Sequence, residues 1–448
     1  MINHVNKYFP AIFWSMSLFA VPLLAANLIH TNAVENGQAT TNYILDSPFL
    51  RVMVSPQRGG GITKLFFKKA KLFLNDGLSF TEQVYHHFPV KDQIVEDFES
   101  LEQTGFTVEQ AGNDTKSKVV SLTLSALSAN ITNLQLLKTY RLADKECALY
   151  IDYSLRNTGL SDINAGLWVH THLRTVGANS AERNIFFTPT STGITNITHL
   201  RAVPVSEYYW VLDPPLNWKA HIGLESGVGT ALVTDYAPLS CFRDWYELNG
   251  NRSSTDLVFR QQKIHPQEAW TTKIALIPFR DMNRVDGVIN DKIVYAVSYA
   301  AAGMDSNHQA KVSLSLAFPL PYPDNLGCKL WLQSTNNMPL TYPGPASFHD
   351  TNTQSLILQS TASVKAGTSV HFSNIFRKPV DGIYNYTLQL YDCNGLYGQA
   401  TMPIAIGDVA TNLVIQPMET MPTGEECIRP YKMLRRKIPD SLSESFKK

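Results

Sequence analysis

The chain has 448 residues, 44% of them hydrophobic, with 38 basic and 38 acidic side chains. That length supports a large core and two or three domains, and the even charge excludes the basic excess that a nucleic-acid partner demands. Only 17% of residues are charged, while Ser, Thr, Asn, Tyr and Phe are plentiful, which suits half-buried strands and their turns.

A polar start with His4 and Lys7 leads into an apolar run over 9–26 that ends in the small residues Ala25 and Ala26. Residues 1–26 read as an export signal, which places the chain in a periplasmic or secreted setting. The alternative is an uncleaved anchor, because the run approaches the ~20 residues a span requires. Pro10, Pro22, Ser15 and Ser17 weaken it as a span, so membrane contact is expected only if the segment is retained. Residues 27–42 are polar and read as a linker.

Strand signals are dense from Tyr43 onward, and the strand-like 49–54 runs into SPQRGGGITKLFF at 55–67. Three glycines behind an arginine raise the question of a phosphate loop. Such a loop needs a helix after the glycines, whose N-terminal N–H groups hold the phosphate. Residues 62–67 and 71–74 are instead apolar, with β-branched and aromatic side chains that favour strand, and Gly59, Gly60 and Gly61 do not fit G-x-G-x-x-G. The expectation is a sheet corner, where glycine supplies positive φ or close backbone approach.

Residues 119–124, 134–142 and 148–157 alternate at period two, with Ile151, Tyr153 and Leu155 on one face. Further strands are expected at 166–173, 229–234 and 271–279. Helical periodicity is scarce. The best helix candidate is 281–301, within a connector over 281–302. A second β unit follows near Gly303, with strands at 311–318, 329–333, 355–359, 369–372 and 381–392. Its DGIYNYTLQLYDCNG stretch resembles the tyrosine-corner strand of immunoglobulin-like and fibronectin-like sandwiches, with Tyr384 or Tyr386 bonding back to an upstream backbone group. Residues 303–416 are therefore a candidate Ig-like β-sandwich, and 417–448 a mobile polar tail.

The five cysteines, Cys147, Cys241, Cys328, Cys393 and Cys427, form no C-x-x-C pair, so a structural zinc site is not expected. In an oxidising compartment Cys328 and Cys393, which share a domain, are the candidate disulfide.

Over 43–280, the SPQRGGGITKLFF corner, LLKTYRLADKECALYIDYSLRNTG, AGLWVHTHL, GVGTALVTDY and KIHPQEAWTTKIALIPF occur in order. This strand pattern resembles the galactose-mutarotase-like supersandwich superfamily. The resemblance implies an all-β fold: a large antiparallel supersandwich followed by the smaller Ig-like sandwich, with sugar on a concave sheet face. Periplasmic glucan-synthesis proteins are similar in joining two such units. The resemblance implies fold more than activity.

Aldose epimerases of the superfamily use a His and a carboxylate as acid and base, and a His suits this because its pKa lies near working pH. In LWVHTHLRT, His170 and His172 are two apart on a strand and face one way, with Arg174 continuing the row. The epimerase pattern follows its His with an aromatic and Asn-Leu, which this chain lacks. Other readings of the pair are two polar residues on a solvated face, or a two-His metal site for which no third ligand is identifiable. For the carboxylate, SSTDLVFRQQKIHP offers only Asp256, whereas CFRDWYELNGN carries Asp244, Trp245, Tyr246 and Glu247. Aromatic rings stack on sugar faces and carboxylates bind hydroxyls. The candidate catalytic residues are thus His170, His172, Glu247 and Asp244. The candidate substrate-binding residues are Arg58, Arg174, Trp168, Trp245 and Tyr246, with Trp210 and Trp218 extending the aromatic inventory. No metal and no cofactor are expected.

Two functions stay open. One is an exported carbohydrate-binding or carbohydrate-active protein, with an epimerase-like, lyase or glycoside hydrolase activity if it is an enzyme. The other is a non-catalytic envelope structural or interaction protein that holds a protein partner on the same scaffold.

Overall fold

The computed structural model describes residues 26–35, 38–75, 77–86, 98–175, 184–190, 193–198, 207–247, 252–301, 309–335, 340–342, 348–349 and 353–406. The rest of the expected signal, residues 1–25, and the expected tail at 417–448 lie outside them. All regular elements of the described residues are strands.

β1 (Asn27–Glu35) and β2 (Gln38–Asp46) form a hairpin, which β3 (Leu50–Ser55), β4 (Gly61–Phe67) and β5 (Leu72–Phe73) extend into a five-stranded antiparallel sheet. The linker expected at 27–42 is therefore strand over 27–35 and 38–42. Leu28, Tyr43 and Leu45 pack on the core, and the backbone ladder, indifferent to side-chain polarity, carries the rest.

The next strands build a two-sheet sandwich. They are β6 (Thr81–Tyr85), β7 (Phe98–Ser100), β8 (Thr107–Asp114), β9 (Val119–Leu127), β10 (Leu134–Ala143), β11 (Leu149–Asn157) and β12 (Ile163–His170). β13 (Asn184–Thr190), β14 (Gly193–Thr198), β15 (Glu207–Leu212) and β16 (Trp218–Gly223) follow. β17 (Gly229–Thr234), β18 (Leu239–Glu247), β19 (Arg252–Ile264) and β20 (Ala269–Phe279) complete it. The nine-stranded sheet runs β14-β13-β16-β17-β20-β11-β10-β9-β8, and the six-stranded sheet runs β15-β18-β19-β12-β6-β7. Alternation along β10 and β11 turns Leu134, Leu136, Tyr140, Leu142, Ile151, Tyr153 and Leu155 inward to the main core.

A smaller sandwich follows. It comprises β21 (Gly287–Ile289), β22 (Ile293–Ala301), β23 (Gln309–Phe318), β24 (Tyr322–Ser334), β25 (Thr341–Tyr342), β26 (Phe348–His349), β27 (Gln354–Val364), β28 (Thr368–Arg377), β29 (Gly382–Asp392) and β30 (Gly395–Ile406). Its two four-stranded sheets are β21-β22-β23-β28 and β27-β24-β29-β30. The helix expected at 281–301 is not formed; β21 and β22 occupy it. Ile293, Tyr295 and Val297 enter the core of the small sandwich, while Val294 and Ala296 join a cluster with Trp218 and Ile277 of the large one. A strand buried on both faces reads as a continuous apolar run, which periodicity cannot tell from a buried helix. Tyr384 Oη donates to the Val380 carbonyl at 2.7 Å, the upstream bond expected of it. The expected Cys328–Cys393 disulfide is absent: both thiols are free. Cys328 faces the core opposite Leu390 on β29, whereas Cys393 is exposed in the β29–β30 turn.

The glycine corner is the turn between β3 and β4, and no helix follows it. Gly59 and Gly60 adopt φ of +61° and +56°. Lys138 Nζ, on β10, donates to the Gly59 carbonyl at 2.8 Å and to Glu82 Oε2, on β6, at 2.6 Å. Tyr140 Oη donates to the Gly60 carbonyl at 2.7 Å, and Tyr153 Oη to Glu82 Oε1 at 3.0 Å. Burial pushes the Glu82 carboxyl up from its ordinary value and the Lys138 ammonium down, and each charge opposes the shift of the other. A Cβ on Gly60 would stand 2.8 Å from Lys138 Cε, so the corner needs glycine both for φ and for room.

Removing one member of a buried ion pair strands the other. Lys138→Met or Glu82→Gln alone should lower unfolding stability by about 3–5 kcal/mol. The double variant Lys138→Met/Glu82→Gln should recover at least half of the summed loss. A urea-unfolding double-mutant cycle checks this, and additive losses would count against the pair.

Candidate functional site

The six-stranded sheet turns one face to the core and one away from it, and period-two alternation assigns each side chain. On β12, Leu167 and Val169 enter the core, so Trp168 and His170 take the outer face. On β19, Leu257 and Phe259 point inward, which puts Ser254, Asp256 and Val258 outward. On β18, Phe242 points inward and Arg243 outward. Trp210 on β15 lies across from Arg243, and Arg243 lies across from Asp256.

These outer residues converge on one carboxylate oxygen. Asp256 Oδ2 accepts from Arg243 Nη1 at 2.5 Å and from Trp168 Nε1 at 3.2 Å, and it lies 3.1 Å from His170 Nδ1. The Trp168 and His170 rings stack at 4.9 Å, and Trp168 meets Trp210 edge-on at 5.8 Å. The Arg243 guanidinium lies 5.2 Å from the Trp168 ring centroid and 5.5 Å from that of Trp210, within cation–π range. Burial pushes the Asp256 carboxyl up, but the charges of His170 and Arg243, with their hydrogen bonds, outweigh it and hold the group well below the usual carboxylate range. Among the described residues, Asp256 Oδ1, His170 Nε2 and Ser254 Oγ in this row are buried without a hydrogen bond. Buried polar atoms are almost always satisfied, which sets this face apart.

The other expected residues are distributed as follows. His172 is half-buried, with its Nδ1 3.1 Å from the Ser253 carbonyl and its backbone N–H on Ser79 Oγ. Burial pushes its pKa down, against the opposing charge of Asp256. The two histidines thus take different partners. Among the described residues no group of three or more His, Cys, Asp or Glu is placed to hold a metal.

Asp244 does not join His170. It lies on the inner face, where Lys219 Nζ reaches its Oδ1 at 2.6 Å and Thr255 Oγ1 donates to the same oxygen at 3.0 Å. His221, beside Thr230 Oγ1, is kept neutral there: burial, aided by the Lys219 charge, pushes its pKa down to about 3. Trp245 alternates with Asp244 and shares the outer face with Arg243. Tyr246 and Glu247 end β18, opposite Ser253 and Arg252, and their side chains lie outside the described set. Arg58 is exposed in the glycine corner, and Arg174 is buried, with its N–H on the Leu74 carbonyl. Trp218 belongs to the cluster between the two sandwiches.

Asp256, Arg243 and Ser254 are the members that the sequence reading did not place in the site. The signal was present in STDLVF: Leu257 and Phe259 mark the core face, so Asp256 must take the other. In CFRDWYE the same logic, anchored on Phe242, gives the outer face to Arg243 and not to Asp244.

No family model matches the chain, and no curated protein matches it. Solved structures do resemble it. A galactose mutarotase-like protein from Clostridium acetobutylicum is 10% identical over 57% of this chain and 99% of its own, with a TM-score of 0.43. A galactose mutarotase related enzyme from Lactobacillus acidophilus is 12% identical over 54% of this chain and 99% of its own, with a TM-score of 0.39. An aldose epimerase homologue from C. elegans is 11% identical over 57% of this chain and 99% of its own, with a TM-score of 0.39. These are proteins of the kind the strand order resembles. At such identities and scores the likeness carries nothing about what this chain binds; that rests on its own residues.

The low pKa of Asp256 has a stability consequence. A depressed folded-state value stabilises the fold above the ordinary 3.8, and that contribution is lost as pH falls through the folded value. Asp256→Asn should therefore be less stable than the parent at pH 7, and the gap should narrow below pH ~3 as the parent carboxylate becomes protonated. Thermal melts of both across pH check it, and a gap that widens in acid would contradict it.

Proposed function

We propose that this protein binds carbohydrate on the outer face of the six-stranded sheet, over Trp168, His170 and Asp256. The observation that carries this reading is the row of unsatisfied buried polar atoms, Asp256 Oδ1, His170 Nε2 and Ser254 Oγ, beside two indoles. A sugar hydroxyl both donates and accepts, so one ligand type can serve Asp256 Oδ1, His170 Nε2 and Ser254 Oγ together. Indole faces suit the apolar side of a sugar ring. Arg243 already neutralises Asp256, so among the described residues of the site no spare cation is placed for an acidic sugar, and a neutral glycan fits best. His170 and Arg243 retain 17% and 13% side-chain exposure and form the approach from solvent.

Binding is favoured over anomerisation. That reaction needs an acid and a base on different oxygens of the substrate. Here His170 and Asp256 engage each other at 3.1 Å. A carboxylate held ionised by a guanidinium, an indole N–H and an imidazole is a weak proton acceptor. The apolar N-terminal run and its small residues support an exported chain, periplasmic or secreted. The Tyr384–Val380 bond supports an Ig-like character for the small sandwich, which then serves as spacer or partner surface.

One observation favours the second reading, a non-catalytic envelope interaction protein. Trp168 and Trp210 are only 4% and 2% exposed, which suits a closed face as well as a ligand site. A glycan-array screen of the chain beside His170→Ala, His172→Ala and the double variant separates the two. The carbohydrate reading expects a neutral glycan whose affinity falls ~10-fold or more with His170→Ala. His172→Ala should stay within about 3-fold of the parent, because its ring is committed to Ser253. No binding to any glycan would move the conclusion to a protein partner, sought next by pull-down of exported proteins.

A further inference from the structure

The five-stranded sheet ends in β1, and among the described residues no strand pairs with its outer edge. Edges of this kind invite pairing with another chain, and proteins usually blunt them. Other edges among the described residues are blunted or short. β5, β7 and β21 span two or three residues, and β14 and β15 span six each. β8 is bulged between Val108 and Gln110 and carries Glu109 and Asp114. β30 contains Pro403 and is bridged to the β21–β22 turn by Asn290 Nδ2 on the Tyr397 carbonyl at 2.7 Å. β27 and β28 lean on one another, with Asn374 Nδ2 on the Ile357 carbonyl at 2.8 Å.

β1 has none of these devices. Its nine residues, NLIHTNAVE, contain no Lys, Arg or Pro, and its one acid ends the strand. Ile29 is 45% exposed, and His30, Thr31 and Asn32 are exposed beside it. The sequence also complements itself. About a two-fold axis through Thr31, an antiparallel copy would set Leu28 opposite Val34, Ile29 opposite Ala33 and His30 opposite Asn32. Asn27 would face Glu35. Apolar positions meet apolar ones, polar positions meet polar ones, and no like charges face each other. Leu28 already packs against the main core, so the apolar layer would continue across the seam.

We propose that two copies of this chain pair through β1, joining their five-stranded sheets into one continuous sheet about a two-fold axis. Such an interface is isologous, the commonest form of homodimer, and it closes both exposed edges at once. It stands apart from the proposed sugar site, so either can fail alone.

The test is sedimentation velocity of the full chain over about 1–100 µM, with Thr31→Lys and Thr31→Pro in parallel. Thr31→Lys sets two ammonium groups against each other across the axis, while Thr31→Pro denies the edge a donor. The parent should form a dimer whose fraction rises with concentration. Thr31→Lys should be monomeric with an unchanged melting temperature. Thr31→Pro should be monomeric too, and if it melts earlier the Lys variant alone decides. Concentration should also slow amide exchange at 27–35 in the parent only. A parent that stays monomeric throughout, or a Thr31→Lys variant that dimerises as the parent does, would overturn the proposal.

Discussion

One ammonium, Lys138 Nζ, ties three parts of the large sandwich together. It sits on the nine-stranded sheet, bonds the Glu82 carboxylate of the six-stranded sheet, and caps the Gly59 carbonyl of the β3–β4 corner in the five-stranded sheet. Lys138 and Glu82 are both fully buried. Two charges in a dry interior hold only if their geometry is good and their remaining groups are bonded. Tyr153 and the Phe80 carbonyl complete that requirement. Gly60 is needed because the lysine stem fills the space where its side chain would stand. What resembles a phosphate cradle in sequence is thus an internal seat for a cation.

The same pair bears on the outer face. Glu82 points inward from β6 directly across from Val169, and the next residue on each strand sets Thr81 across from His170. Fixing β6 by its buried carboxylate fixes the register that aims His170 at Asp256. A slip of one residue would send His170 into the core and Val169 to the outer face. The arrangement around Asp256 follows from three neighbouring strands, β12, β19 and β18, each contributing residues at one level of the sheet.

Strand content and facing were legible where one face is wet and the other dry. Ile151, Tyr153 and Leu155 alternate in the sequence and all three reach the core. The reading failed where that contrast vanishes. β22 is buried on both sides, so its unbroken apolar run carried no period, and a helix was expected. β1 and β2 are polar enough to read as linker, although a hairpin ladder holds them. Cys328 and Cys393 share a domain, yet one faces the core and the other a turn. The site was half legible: Trp168 and His170 come from one strand, while Asp256 and Asp244 could be sorted only by asking which neighbours are apolar. The Lys138–Glu82 bond joins residues 56 apart, and nothing local announces it.

A crystal structure of the chain soaked with the neutral glycan that it binds most tightly is the direct measurement of where the ligand lies. The account predicts sugar over the Trp168 and Trp210 indoles, with hydroxyls at hydrogen-bond distance from His170 Nε2 and Asp256 Oδ1. Sugar seated at the Arg58 corner, or between the sheets beside Lys219 and Asp244, would contradict it.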